Sequence, residues 1–174
     1  ISVARVWTPE ELRDLGNLCR ERGVIVVSDD IHSDLVMPGH TYTPLAALGD
    51  DFAAGTVTCS SPSKTFNIPG AGCAFVVIPD AEKRAAFRRA GRRTSALDLP
   101  NIFSVTAAEA AYRGGGGWLD SLIPYLRDNY LFLKDFLGRE LPDVRVFPQE
   151  GTYVVWLDFR GLGLGEREVD SALS

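Results

Sequence analysis

A chain of 174 residues that is 45% hydrophobic can bury one core, and its length suits one domain or a little more. The formal net charge of −5, from 23 acidic and 18 basic residues without a block of either sign, argues against a nucleic-acid partner. Its apolar runs fall far short of the roughly eighteen residues a membrane helix needs, so no membrane partner is expected. Its 3 cysteines, Cys19, Cys59 and Cys73, have neither paired nor metal-type spacing and suit reduced thiols in the cytoplasm.

The chain opens I-S-V-A-R-V-W, without an initiator methionine or a secretory pattern, and is expected to be a piece of something longer. A helix is then signalled by Thr8 as N-cap, Pro9 in the first position, Glu11 completing a capping box and Gly23 as the stop. Leu12, Leu15, Leu18 and Cys19 mark its expected buried face. V-I-V-V-S, Val24 to Ser28, shows no polar alternation and reads as a strand covered on both faces. Thr56 to Ser60 is the next strand, reached by a connection long enough for a parallel crossover. The path to Cys73–Ile78 contains Pro62, Pro69, Gly70 and Gly72, which leaves no room for a packed crossover helix, so that strand is expected to run antiparallel.

Asp80 to Ala90 and Ile102 to Tyr112 read as helices. The first carries Arg84, Arg88 and Arg89, with Arg92 and Arg93 just beyond it, at the spacing of one solvated face. The run Gly114 to Gly117 should break the pattern. A long amphipathic helix follows through Leu119, Leu122, Leu126, Tyr130, Leu133, Leu137 and Leu141, with its start expected near Ser121 so that Pro124 is tolerated. Val144–Phe147 and Tyr153–Phe159 read as a strand pair about the turn P-Q-E-G, and a further helix starts at Gly165. The fold class is therefore α/β, with a mostly parallel sheet and helices on both faces.

Ligands of open α/β sheets collect beyond the carboxyl ends of the strands. Two polar clusters fall there, S-D-D-I-H-S-D after Val27 and S-S-P-S-K after Cys59. If the strands are parallel neighbours, Asp29, His32, Ser61, Ser63 and Lys64 share one pocket mouth. A strand-end carboxylate can keep a pyridine nitrogen protonated. A lysine amine can bond covalently to an aldehyde and later move a proton, and hydroxyls and free N–H groups can take a phosphate. On this reading Lys64 carries pyridoxal 5'-phosphate. The plainer readings make Lys64 a solvated loop lysine, Asp29, Asp30 and Asp34 caps and turn residues, and His32 a hydrogen-bonded spacer. The Asp/His cluster lacks a further His or Cys for a metal site, and neither a P-loop nor a strand-linked G-x-G-x-x-G supports a nucleotide.

R-V-W-T-P-E-E-L, G-V-I-V-V-S-D-D-I-H-S-D-L-V, T-V-T-C-S-S-P-S-K-T-F-N-I-P-G and E-G-T-Y-V-V-W-L-D-F-R, in that order, closely resemble the MalY/PatB-type C–S lyases. These are cystathionine β-lyase-like enzymes of the pyridoxal-phosphate-dependent class I/II aminotransferase superfamily. The resemblance implies a fold-type-I domain, with residues 1–117 as the lysine-bearing part of the large domain and 118–174 as a linking helix and the start of a small α+β domain. It implies Lys64 as the lysine bonded to the cofactor, Asp29 as partner of the pyridinium nitrogen, and Ser61 and Ser63 as hydroxyls near the phosphate. His32 stands where related aminotransferases have a tyrosine that bonds the ring's phenolic oxygen, and Asp30 where the family more often has Glu.

The implied reaction is α,β-elimination of cystathionine or an L-cysteine S-conjugate to pyruvate, ammonia and a thiol, in an enzyme that is a homodimer when full length. An aminotransferase is the alternative outcome, and a truncated non-catalytic remnant is the alternative of another class. Nothing in the chain corresponds to the family's N-terminal half, to its far C-terminal carboxylate-binding arginine, or to the phosphate arginine where Gly72 stands.

Overall fold

A computed structural model describes residues 3–94, 101–165, 168, 169 and 171. Helix α1 (Pro9–Glu21) has the expected capping box: Thr8 Oγ1 accepts from the Glu11 N–H at 3.3 Å, and the Glu11 carboxylate accepts from the Thr8 N–H at 3.0 Å. Gly23 follows the helix with φ +63°, a left-handed turn open to glycine. The buried stripe is narrower than expected. Leu12, Leu15 and Cys19 are half-buried and Leu18 is exposed, while the closest approach is at Gly16. A Cβ there would lie 2.6 Å from the ring of Phe52 on the short helix α2 (Asp50–Ala54).

Strand β1 (Val26–Asp29) pairs in parallel with β2 (Thr56–Ser60), with Val26 opposite Thr56 and Asp29 opposite Cys59. β2 pairs antiparallel with β3 (Phe75–Val77), in the order β1-β2-β3. Both directions follow from the connections, since 30–55 spans a crossover and 61–74 is a compact loop around the 3-10 turn Pro69–Ala71. The expectation that the first strand is covered on both faces is corrected. Val27 is 68% exposed, and Val24, Ile25 and Val77 are also open. The Leu45–Leu48 turn packs between α1 and β2, and the described residues leave Val27 open on one face of the sheet and Val77 on the other.

Helix α3 (Ala81–Arg93) starts at Asp80, whose carboxylate accepts from the Lys83 N–H at 2.7 Å. Its Arg88, Arg89, Arg92 and Arg93 are exposed, as their spacing predicts, whereas Arg84 folds back onto the carbonyls of Ile78 and Pro79 at 2.6 and 2.8 Å. Helix α4 (Ile102–Gly114) is capped by Asn101, and α5 (Gly116–Glu140) begins five residues before the expected Ser121. The glycine run is a one-residue joint rather than a loop. Gly115 lets the chain turn where the ring of Phe66 presses on it, since a Cβ would come within 2.4 Å of that ring. Pro124 therefore lies inside α5, where the missing N–H removes one helical bond.

Strands β4 (Arg145–Val146) and β5 (Leu157–Asp158) form the expected antiparallel pair, prolonged by the Phe147 N–H bond to Trp156 O at 3.0 Å. The segment between them is not a plain turn. Glu150 N–H donates to Ala4 O at 2.7 Å, Met37 N–H to Glu150 O at 2.9 Å and Thr152 N–H to Leu35 O at 2.6 Å, and Val36 bridges Gly151. Fully buried Ala4, Leu35 and Thr152 meet there, with Val6 and Met37 beside them. The N-terminal segment, the loop after β1 and residues 149–152 are thereby one packed unit. The expected helix from Gly165 to Leu173 falls largely outside the described residues, though 168, 169 and 171 are helical.

Candidate active site

Asp29 ends β1 and Asp30 follows it, so their side chains leave on opposite faces. Asp29 is exposed, and one of its oxygens accepts from the Ile31 N–H at 3.2 Å, an Asx turn that ends the strand. Asp30 is buried and accepts from Ser28 Oγ at 2.6 Å, while its own N–H extends the ladder to Cys59 O at 2.8 Å. Burial, and then the neighbouring Asp30 carboxylate, push the Tyr42 phenol above its ordinary range. Burial likewise raises the Cys59 thiol, with Asp29 and Asp30 adding to it. Asp30 thus belongs to the packing side and Asp29 to the open side.

Beyond β2, the Ser61 hydroxyl donates to Cys73 O at 2.5 Å and accepts from the Ser63 N–H at 3.1 Å. It shapes the loop, and its single proton is already used. The Ser63 hydroxyl has no hydrogen-bond partner among the described residues. Lys64 follows, half-buried and without an ion-pair partner among the described residues. Its neighbours are held firmly. Buried Thr65 donates its hydroxyl to Asp34 at 2.8 Å, and its carbonyl accepts from the Trp118 indole at 3.1 Å. Phe66 sits edge-on to Tyr112 with centroids 5.4 Å apart. The loop is therefore tied both to the segment after β1 and to the α4–α5 joint.

His32 completes the cluster. Its Nδ1 lies 2.9 Å from Thr152 Oγ1, and its ring meets Tyr153 edge-on at 5.4 Å. Burial and then the nearby Lys64 ammonium hold its pKa below the ordinary 6.5, with Asp29 opposing. Lys64 and Asp29 are thus each within electrostatic reach of His32. A cavity of about 210 Å³ lies between α1 and β1, lined by Trp7, Leu12, Val27, Asp29 and Tyr42. It touches Asp29 but neither His32 nor Lys64, which lie outside it. Among the described residues no group of three or more His, Cys, Asp and Glu side chains is placed to hold a metal ion.

Sequence patterns missed the supporting residues. Thr152, Tyr153 and Trp118 come from distant segments, and Asp34 read only as a turn residue; none sits in a spacing that points to the lysine loop.

The arrangement is that of an α/β protein with a polar site across the adjacent carboxyl ends of parallel strands. The chain belongs to the aminotransferase class I and II family, which matches residues 3–174. It is 48% identical over 169 residues to cystathionine β-lyase PatB of Bacillus subtilis, covering 97% of this chain and 43% of that protein. The crystal structure of cystalysin from Treponema denticola, which contains a pyridoxal 5'-phosphate cofactor, superposes with a TM-score of 0.92 at 32% identity, over 97% of this chain and 42% of that one. The pyridoxal-phosphate-bound C–S lyase from Staphylococcus hominis gives a TM-score of 0.84 at 34% identity, over 96% and 40%. The chain thus spans less than half the length of these relatives.

Proposed function

We propose that the polypeptide carrying this chain is a pyridoxal-phosphate-dependent carbon–sulfur β-lyase. Its substrate would be cystathionine or an L-cysteine S-conjugate, and its products pyruvate, ammonia and a thiol. The observation that carries the reading is the β1–β2 register, which sets Asp29 opposite Cys59 and so brings the aspartate beside the loop that bears Lys64. The donor set fits the group: among the described residues there are a carboxylate with an oxygen free of partners, an amine without a counter-ion, a Ser63 hydroxyl without a partner and a histidine with one ring nitrogen unused.

Pyridoxal phosphate, when bound, supplies an electron sink that stabilises negative charge at the substrate α-carbon and lets a β-thiolate leave. Asp29 would accept the pyridine N–H and keep that nitrogen protonated. Lys64 would hold the cofactor covalently, then take the α-proton through its freed amine. Ser63 would face the phosphate, with Ser61 shaping the turn that presents it. Elimination is favoured over amino transfer because, among the curated relatives, the one at 48% identity is named a cystathionine β-lyase, whereas those named aminotransferase or transaminase stand at 32% over 63% of the chain and at 26%. We further propose a division at 117/118, a cytoplasmic setting, and a homodimer for the intact protein.

Borohydride reduction in the presence of pyridoxal phosphate should fix the cofactor to Lys64, located by peptide mass. The intact protein given cystathionine should release pyruvate without a keto-acid acceptor. Amino transfer to an added keto acid with no pyruvate would make it an aminotransferase instead. The exposed sheet residues and the short span favour a second reading for the 174-residue chain by itself, a folded remnant without turnover. Failure of this chain to take up the cofactor while the full-length protein does so would support it.

A further inference from the structure

Thr152 is fully buried and has φ +63°. A β-branched residue is crowded in that left-handed conformation, which glycine adopts freely. Its main chain cannot swing away, because its N–H donates to Leu35 O at 2.6 Å and its carbonyl accepts from Gln149 Nε2 at 2.9 Å. What threonine supplies at this place and glycine would not is the hydroxyl, 2.9 Å from His32 Nδ1. An observed backbone outlier with a side chain aimed at a candidate site residue points to function rather than accident.

The His32 ring is held on a second side by Tyr153, and its Nε2 has no hydrogen-bond partner among the described residues. Burial and Lys64 favour the neutral ring, which carries one proton on one of two nitrogens. We propose that Thr152 is a positioning residue: its hydroxyl donates to Nδ1 of His32, which places the ring proton on Nε2 and makes that nitrogen a hydrogen-bond donor to a bound group. The opposite arrangement, with Nδ1–H donating to Thr152, would leave Nε2 an acceptor and useless toward an anionic ring oxygen. The proposal rests on the reading that the Lys64 site takes pyridoxal phosphate, whose ring oxygen calls for such a donor.

The test is ¹⁵N NMR of histidine-labelled protein. The chain has 2 histidines, and His40→Gln assigns their signals. Wild type and Thr152→Ser should show a protonated Nε2 and a hydrogen-bonded, unprotonated Nδ1 at His32. Thr152→Val and Thr152→Gly should show tautomer-averaged signals; the glycine variant relieves the backbone crowding and serves if the valine variant does not fold. A wild-type Nδ1–H tautomer, or unchanged His32 signals in Thr152→Gly, overturns the proposal.

A double-mutant cycle on pyridoxal phosphate retention gives a second readout. Thr152→Gly should weaken retention up to about tenfold with His32 present and less than about twofold in a His32→Gln background. Equal losses in both backgrounds mean that Thr152 serves the backbone alone, and overturn the proposal. Full-length wild-type protein that retains no cofactor defeats the Lys64 reading instead, and the tautomer measurement then decides the role of Thr152 without it.

Discussion

Two adjacent aspartates show how position rather than residue type assigns chemistry. Asp30 is buried against Ser28 and Tyr42, while Asp29 stands exposed at the strand end. Asp29→Asn should therefore leave the fold intact and cut lyase turnover of the intact protein at least about a hundredfold, because the amide cannot hold a protonated ring nitrogen. Lys64→Ala should lose borohydride fixation altogether, with turnover down by at least a similar factor. His32 adds a pH signature. Burial and Lys64 lower its pKa from 6.5, so the folded chain prefers the neutral ring. Below that value the unfolded chain binds the proton more readily, so stability present above pH 6.5 is lost as pH falls toward the folded pKa. Urea midpoints should fall more steeply for wild type than for His32→Gln between about pH 7 and pH 5. As candidates, Lys64, Asp29 and His32 were legible because each stands at or just beyond the end of a recognisable strand. Thr152 was not, since its role arises from a backbone angle and a contact 120 residues away.

At the scale of elements, the joint between α4 and α5 carries the consequence. Gly115→Ala would put a Cβ 2.4 Å from the Phe66 ring and 2.5 Å from the Ala111 carbonyl. Backbone cannot yield there as a flexible side chain could, so a loss of about 1–3 kcal/mol is expected in denaturant titration. Phe66 lies two residues from Lys64, and the variant should also slow cofactor fixation. Trp118→Phe keeps a ring but removes the indole donor to Thr65 O, with an expected cost of about 1 kcal/mol. A glycine run reads as a break in periodicity, and α5 nevertheless starts within it. Helical propensity alone opposes that start; the close approach of Phe66 is what glycine permits.

For the whole molecule, the open sheet face dominates. Val27, at 68% exposure on an edge strand, shares its face with exposed Val76 of β3, and that apolar face invites association. Val27→Lys in the 174-residue chain should reduce self-association in sedimentation runs while leaving the circular dichroism unchanged. The local signals of the chain determined its helix caps, the strand directions and the polar strand-end clusters, because capping, connection length and periodicity act over a few residues. The pattern of V-I-V-V-S also stated a demand for cover on both faces, which the described residues leave unmet at Val24, Ile25 and Val27. The tertiary structure alone decided that Asp29 faces outward while Asp30 is buried, that Trp118 and Asp34 clamp the lysine loop, and that residues 149–152 lie against the loop after β1. Such pairings rest on packing between segments far apart in sequence, and no short-range pattern encodes them.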